Sequence, residues 1–337
     1  MIKVGIIGYG YWGPNLARNF NLIDNCLIKT IVDLKDDRLK LAKKNYPNIH
    51  ISNDCNSIID DPEINAVIIA TSVSTHYELA KGCLFKNKHV LIEKPMTDSR
   101  EKCLQLIDLA IKKNLLLMID HTYLYTGAVR KIKELIDNNE IGNINYFDSV
   151  RINMGLFQHD INVIWDLAPH DISILQYLIN ETPESITATG ISHTNNNIEN
   201  IAYLNLFFNS SKMAHFSVSW SSPVKIRKIL IGGDKKMIVY DDLEPTDKVR
   251  IYDTGYSINY SKEEEKNIML VDYRIGDIFM PKLDTTEALK NVSLDFVNCI
   301  LNNKEPISNW KIGLEIVTIL EAAQKSIRNR GKEIKII

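Results

Sequence analysis

The sequence predicts an α/β chain. It opens with a doubly wound parallel sheet and continues into an α+β domain with a large, mostly antiparallel, open-faced sheet. Three observations predict this. An apolar run at the start leads into Gly8-x-Gly10-x-x-Gly13, which writes a strand, a tight turn and a helix start. Short β-branched runs then alternate with helical patterns up to about residue 120. Beyond about residue 122 that rhythm gives way to runs alternating polar and apolar residues.

Each glycine of the opening turn has a physical task. Gly8 permits the bend, Gly10 lets the backbone approach a pyrophosphate, and Gly13 lets the helix press close to the strand. The helix start offers N–H groups and a partial positive charge to phosphates. Asp33 follows Gly13 at the spacing of a ribose-binding acid. A carboxylate there accepts from the adenosine ribose hydroxyls and repels a 2′-phosphate, so the cofactor expected is NAD, with NADP less favoured. Lys35 and Arg38 stand near enough to soften that preference. Tyr11 and Trp12 lie on the turn with two readings, flanking the cofactor or packing between domains.

The elements follow in order. Strands are expected at Lys3–Gly8, Leu27–Asp33, Ala66–Thr71, His89–Glu93 and Leu115–Asp120, apolar enough to be buried on both faces. Helices are expected at Pro14–Leu22, Asp36–Asn45, Ser74–Asn87 and Ser99–Lys113, with Ser74 and Asp98 as candidate N-caps. A Rossmann domain over residues 1–122 accounts for this half. Residues 123–337 are expected to form the second domain. It holds a helix at Ala128–Asn138 and strands at Ile144–Met154, Ile186–Thr194, Ile201–Asn209, Met213–Trp220, Lys225–Gly232, Lys236–Asp241 and Lys248–Tyr252. A helical insert covers Trp165–Asn180, and two helices close the chain at Glu287–Asn302 and Lys311–Arg328. Residues 254–283, with the run Lys262 to Lys266, read as a solvated loop or edge.

Composition narrows the partners. The 337 residues carry 40 basic and 42 acidic side chains, a net charge of −2. Such a balance gives no support for nucleic acid or a membrane surface. The five cysteines are scattered, with no metal-site spacing, and read as reduced thiols. No signal peptide or membrane span is visible, so a cytoplasmic setting is expected, and no metal site is predicted.

Two further constellations carry chemistry. Glu93-Lys94-Pro95 falls at the end of a parallel strand, where open α/β sheets bind ligands. A lysine there can donate to a substrate oxygen and stabilise developing charge. Pro95 fixes the local backbone and is a candidate for a cis bond. Asp166 and His170, in Trp165-Asp166-Leu-Ala-Pro-His170-Asp171, share a face if the segment is helical; Pro169 alternatively marks a helix start. An imidazole titrating near neutrality is the natural proton acceptor, with the carboxylate orienting it or sharing the proton.

The glycine turn, Glu-Lys-Pro and Asp-x-x-x-His together resemble the Gfo/Idh/MocA oxidoreductase family across essentially the whole chain. Ala70-Thr71-Ser72 with His76 resembles the family's Ala-Thr-Pro-x-x-x-His segment, whose backbone and histidine lie along the cofactor; Ser72 replaces the usual proline. His121-Thr-Tyr123, Ser219 to Pro223 and Ile231 to Asp234 are similar to its strand-end and sheet segments. The chain departs from the pattern at Ile161 to Trp165, which lacks the usual glycines, and at Thr126-Gly127, which replaces Asn-Pro.

The resemblance implies hydride transfer between nicotinamide C4 and a sugar secondary alcohol. Lys94 would hold the hydroxyl oxygen, His170 would take its proton, and Asp166 would orient His170 or bind a neighbouring hydroxyl; the reverse labelling, with Lys94 as proton carrier, stays open. Gly8, Gly10, Tyr11, Trp12, Gly13, Asp33, Thr71, Ser72, His76, Glu93 and Lys94 are the implied cofactor residues. Tyr123, Arg151, Trp165, Asp166 and His170 lie where the family has its substrate cleft, with Arg151 alternatively an exposed strand charge. His159 is either a loop residue or a substrate contact. The nearest flavour is that of surface-polysaccharide members, which implies a nucleotide-linked sugar such as a UDP-N-acetylhexosamine. Free-sugar or inositol oxidation, keto-sugar reduction and a non-catalytic NAD sensor are the alternatives. A homodimer or homotetramer through the second sheet is also implied.

Overall fold

The computed structural model describes every residue except 156, 159, 160, 195, 196, 261–268 and 337. Its contacts divide the chain into two units, residues 1–126 with 285–321, and 127–284 with 322–337. The expected single cut at residue 122 is corrected in one respect: the chain returns to its first unit after residue 284.

The first unit is the parallel sheet and its helices. In order come β1 (Ile2–Ile7), α1 (Gly13–Phe20), β2 (Cys26–Val32), α2 (Asp36–Asn45), β3 (His50–Ser52), α3 (Asn56–Ile59), β4 (Ala66–Ile69), α4 (Val73–Phe85), β5 (His89–Glu93), α5 (Arg100–Lys113) and β6 (Leu117–Asp120). A 3₁₀ turn covers Thr122–Tyr125. The sheet order is β3-β2-β1-β4-β5-β6, with every strand parallel to its neighbours. The order reverses between β1 and β4, so a crevice is expected beyond their carboxyl ends. β4 and β6 are buried along their whole length, as strands covered on both faces must be. The short β3 and α3 went unread because three or four residues carry too little periodicity. The cap positions fall at Ser72 and Ser99 rather than at Ser74 and Asp98, and Ser99 Oγ accepts from Lys102 N–H.

The second unit begins with α6 (Gly127–Asp137), β7 (Ile144–Met154) and α7 (Val163–Ile179). Strands β8 (Ser185–Ile191), β9 (Ile201–Phe207), β10 (Met213–Ser219), β11 (Ser221–Gly233), β12 (Met237–Asp241) and β13 (Val249–Tyr252) follow. Next come β14 (Gly255–Tyr260), β15 (Met269–Arg274) and β16 (Ile278–Phe279). α8 (Ala288–Asn302) belongs to the first unit, the division falls within α9 (Trp310–Arg328), and β17 (Ile334–Lys335) ends the described chain. The large sheet runs β16-β13-β12-β11-β7-β10-β9-β8-β17 and is antiparallel except where β10 pairs with β7. Residues 254–283, expected as loop or edge, instead include the antiparallel pair β14 and β15; the run 262–266 lies outside the described residues.

Burial alternates along the central strands. Phe147, Ser149 and Arg151 of β7 and Ala214, Phe216 and Val218 of β10 are buried on the side of α7. Tyr146, Tyr203 and Met213 on the other parity are exposed. One face of the sheet is therefore covered, as the polar–apolar alternation predicts.

In the first unit, α8 packs on α1 and on the 3₁₀ turn. Tyr125 Oη donates to Asp295 at 2.7 Å, and Ser308 Oγ donates to the Ile119 carbonyl at 2.6 Å. These contacts brace the end of β6, where chemistry-bearing side chains stand.

Candidate active site

The glycine turn has the geometry its spacing predicts. Gly8 has φ of +98°, and a Cβ there would lie 2.5 Å from the Ala70 carbonyl oxygen. A Cβ on Gly13 would lie 2.2 Å from the Gly8 carbonyl oxygen, so the helix start presses on the turn. A Cβ on Gly10 would meet nothing within 4 Å. Gly10 thus faces open space at the mouth of α1, whose N-cap residue Trp12 makes no side-chain cap bond. Asp33 is anchored nearby: Oδ2 accepts from Tyr9 N–H at 2.6 Å and Oδ1 from Lys35 N–H at 2.9 Å. Each oxygen keeps a further lone pair for a ribose hydroxyl. Gly10, Tyr11, Pro14, Asn15, Asp33 and Lys35 line one cleft together with Arg38. The residues present therefore fit the pyrophosphate and adenosine ribose of a dinucleotide. Tyr11 is 85% exposed and stands edge-on to Trp12, their ring centroids 5.7 Å apart.

The next strand ends tell a different story. Thr71 Oγ1 bonds Thr75 Oγ1 at 2.7 Å, and Ser72 is exposed at the start of α4. His76 is buried, with Nδ1 3.0 Å from the Pro95 carbonyl oxygen and Nε2 3.1 Å from the Thr71 carbonyl oxygen. Burial lowers its pKa. Both nitrogens face backbone carbonyls, so the neutral ring, with one N–H, donates to one of them, between the β4 and β5 loops.

Lys94 follows the last residue of β5, and the Lys94–Pro95 bond is cis. Glu93 is paired in register with Asp120 at the end of β6. Both acids are buried. Burial first, then the adjacent Asp120 carboxylate, pushes Glu93 well above the ordinary carboxylate range. Burial also pushes Asp120 up to about 6, against the opposing pull of Thr122 Oγ1–H and the Lys94 ammonium. His121 is buried, and burial with the Lys94 charge lowers it to about 3. Neither His121 ring nitrogen has a hydrogen-bond partner among the described residues. Sequence reasoning missed Asp120 and His121 as chemical groups; two polar residues ending an apolar parallel strand were the available signal. Tyr123 sits on the 3₁₀ turn, half-buried.

In the second unit, α7 carries Asp166 and His170. Asn162 caps it, with Oδ1 accepting from Trp165 N–H at 3.2 Å. The alternative of a helix starting at Pro169 is corrected: that proline lies inside α7, and Asp166 and His170 share its face four residues apart. Trp165 is nearly buried in the first turn. Asp166 Oδ2 accepts from Trp220 Nε1–H at 2.9 Å. Trp220 is fully buried, and a Cβ on Gly155 would lie 2.7 Å from its ring. The sequence placed Trp220 only in a strand; a buried indole N–H needs an acceptor, which was the signal for its role.

Arg151 is only 3% exposed, which corrects the reading of a solvent-facing strand charge. Its guanidinium makes a two-point pair with Asp171, so it holds α7 to β7 rather than standing open to a ligand's phosphate or carboxylate. His159 lies outside the described residues.

A dinucleotide cradle on a parallel sheet, followed by a helix-covered open sheet, defines a two-part dehydrogenase-like scaffold. The family described as "Oxidoreductase family, NAD-binding Rossmann fold" matches residues 2–121, and the GFO/IDH/MocA C-terminal domain matches residues 129–239. The chain belongs to the Gfo/Idh/MocA oxidoreductase family, and its N-terminal domain is an NAD-binding Rossmann domain. It is 27% identical over 201 residues to myo-inositol 2-dehydrogenase of Thermotoga maritima, covering 56% of this chain and 58% of that relative's length. Among solved structures it resembles UDP-N-acetylglucosamine 3-dehydrogenase GnnA of Acidithiobacillus ferrooxidans, with a TM-score of 0.82, 21% identity, and 97% and 98% of the two chains covered. It also resembles levoglucosan dehydrogenase in complex with NADH and L-sorbose, with a TM-score of 0.83, 18% identity, and 100% and 99% covered. At those identities the two structures show the fold. No helix among the described residues is long and apolar enough to cross a membrane.

Proposed function

We propose that this protein is an NAD-dependent oxidoreductase acting on a secondary hydroxyl of a sugar, with a nucleotide-linked sugar of the UDP-N-acetylhexosamine type as substrate in surface glycan synthesis. The observation that carries the reading is Lys94, set at the carboxyl end of β5 in the sheet that builds the Gly8–Gly13 cradle. The bound nicotinamide supplies the hydride acceptor or donor. Lys94 binds the hydroxyl oxygen, fixes its place and stabilises the charge that develops on it. His170 takes the hydroxyl proton in the oxidising direction. Asp166, held by the Trp220 indole, orients His170 or binds a neighbouring hydroxyl. The glycine cradle, Tyr11, Trp12, Thr71, Ser72 and Glu93 bind cofactor, while Tyr123 and Trp165 line the sugar.

Asp33 favours NAD over NADP, because its anchored carboxylate repels a 2′-phosphate. A cytoplasmic setting suits this chemistry. Assembly into a dimer or tetramer uses the open face of the large sheet, where Met213 and Tyr146 are exposed register partners. Light scattering at micromolar concentration checks it, and a monomer alone refutes it.

The substrate experiment follows NADH absorbance with UDP-sugars, free sugars and inositols offered in parallel. Turnover only with UDP-sugars supports the proposal. Preference for an inositol favours the second reading, which rests on the similarity to the Thermotoga maritima enzyme.

A further inference from the structure

We infer that Glu93 and Asp120 share a single proton and act as one negatively charged group that positions the Lys94 ammonium. The positioning role rests on the reading of Lys94 given above; the shared proton does not.

The two acids are register partners at the carboxyl ends of adjacent parallel strands. Both are buried, and as register partners on neighbouring strands they project to the same side of the sheet. Two ionised carboxylates offer only acceptors to each other, so one must carry a hydrogen. The pairing of the oxygens assigns it. Asp120 Oδ1 accepts from Thr122 Oγ1–H at 2.7 Å. Asp120 Oδ2 is buried and has no N–H or hydroxyl donor among the described residues. A proton on Glu93 supplies the donor that Oδ2 lacks. Paired buried carboxylates hold one proton for this reason: like charges in low dielectric do not both ionise.

The surrounding groups set the charge count. Lys94 is the cation beside both acids, and its backbone N–H donates to Glu93. His121 follows β6 and is held neutral. Tyr125, from the 3₁₀ turn, donates its hydroxyl to Asp295 and stays protonated. One shared proton therefore leaves one negative charge against one ammonium. Loss of that proton would place two charges on Lys94 and draw it into the sheet edge. Protonation of both acids would leave the ammonium without its counter-charge.

The test reads the proton directly. Infrared spectra of the wild-type protein at pH 7, without cofactor or substrate, should show the carbonyl stretch of a protonated carboxyl. It should shift when glutamate is carboxyl-labelled with ¹³C, and it should be absent from Glu93→Gln. A wild type without the band, or a band that survives in Glu93→Gln, overturns the shared proton. The labelling arm needs only the wild type and so holds if a variant misfolds. For the positioning role, the double variant Glu93→Gln with Asp120→Asn, which leaves no carboxylate, should lower kcat by about 10- to 100-fold, the loss of a charge-assisted contact, and move the acid limb of the kcat profile. An unmoved profile overturns the positioning role. A wild type that shows the band but oxidises no sugar refutes the functional reading and supports the proton count.

Discussion

Arg151 and Asp171 form a buried two-point ion pair: Nε lies 2.9 Å from Oδ2 and Nη2 lies 2.6 Å from Oδ1. Ser149 Oγ donates to the same carboxylate at 2.7 Å. The pair joins the covered face of β7 to α7 at the residue after His170. Arg151→Met leaves Asp171 charged and uncompensated, so the expected loss is about 3–5 kcal/mol of stability. Urea unfolding measures it. Arg151→Lys should recover only part, because an ammonium cannot make the two parallel bonds. Stability equal to wild type in Arg151→Met would refute the structural role.

Lys94→Ala and His170→Ala should each lower kcat by about 10²- to 10⁴-fold, the range of a positioned acid–base or charge-stabilising group. NAD affinity should change little for His170→Ala. Steady-state kinetics with cofactor titration separates the two effects. Wild-type turnover in both variants removes the mechanism.

Trp220→Phe keeps an aromatic ring at the buried position and deletes the N–H that Asp166 accepts. A hydrogen bond to a charged group contributes about 1.5–3 kcal/mol. A comparable loss of stability and a lower kcat are expected. Stability and kcat both equal to wild type would show that the indole does not hold Asp166.

Asp33→Ala removes the acceptor for the ribose hydroxyls and frees the Tyr9 and Lys35 N–H groups. NADH binding should weaken by about 10- to 100-fold, while NADPH binding weakens less or improves. Fluorescence titration with both reduced cofactors decides. Tighter NADPH binding by the wild type would reverse the assignment of specificity.

His121 and Asp120 pull stability in opposite directions with pH. His121 is lowered to about 3 in the fold, so the unfolded chain binds more protons below pH 6.5 and stability falls on acidification. From pH 7 to pH 5 this amounts to about 2 kcal/mol at about 1.4 kcal/mol per pH unit. Asp120 is raised to about 6, so its contribution is complete below pH 3.8 and is lost as pH rises through about 6. His121→Asn should therefore lose less stability than wild type between pH 7 and pH 5, and Asp120→Asn should lose more. Denaturant unfolding at the two pH values measures both, and parallel curves for all three proteins would contradict the burial argument.

The fold was largely legible from local pattern. β5 and α2 stand where periodicity placed them, and the Gly8–Gly13 turn adopts the close approach its spacing implies. The parallel pairing of β10 with β7 was not legible, because alternation fixes which face a strand buries and not the direction of its neighbour. The first unit's recovery of residues 285–321 was hidden for the same reason: a helix pattern does not name the surface it covers.

By itself, the sequence determined the cofactor cradle, the helix that carries Asp166 and His170, and the strand that delivers Lys94, because each depends on neighbours close along the chain. Tertiary structure alone decided that Arg151 is buried on Asp171, that Trp220 holds Asp166, that His76 is buried between two loops, and that Glu93 lies beside Asp120. Those relationships join residues from separate elements, and only packing sets the burial that changes what a charge or a proton costs there.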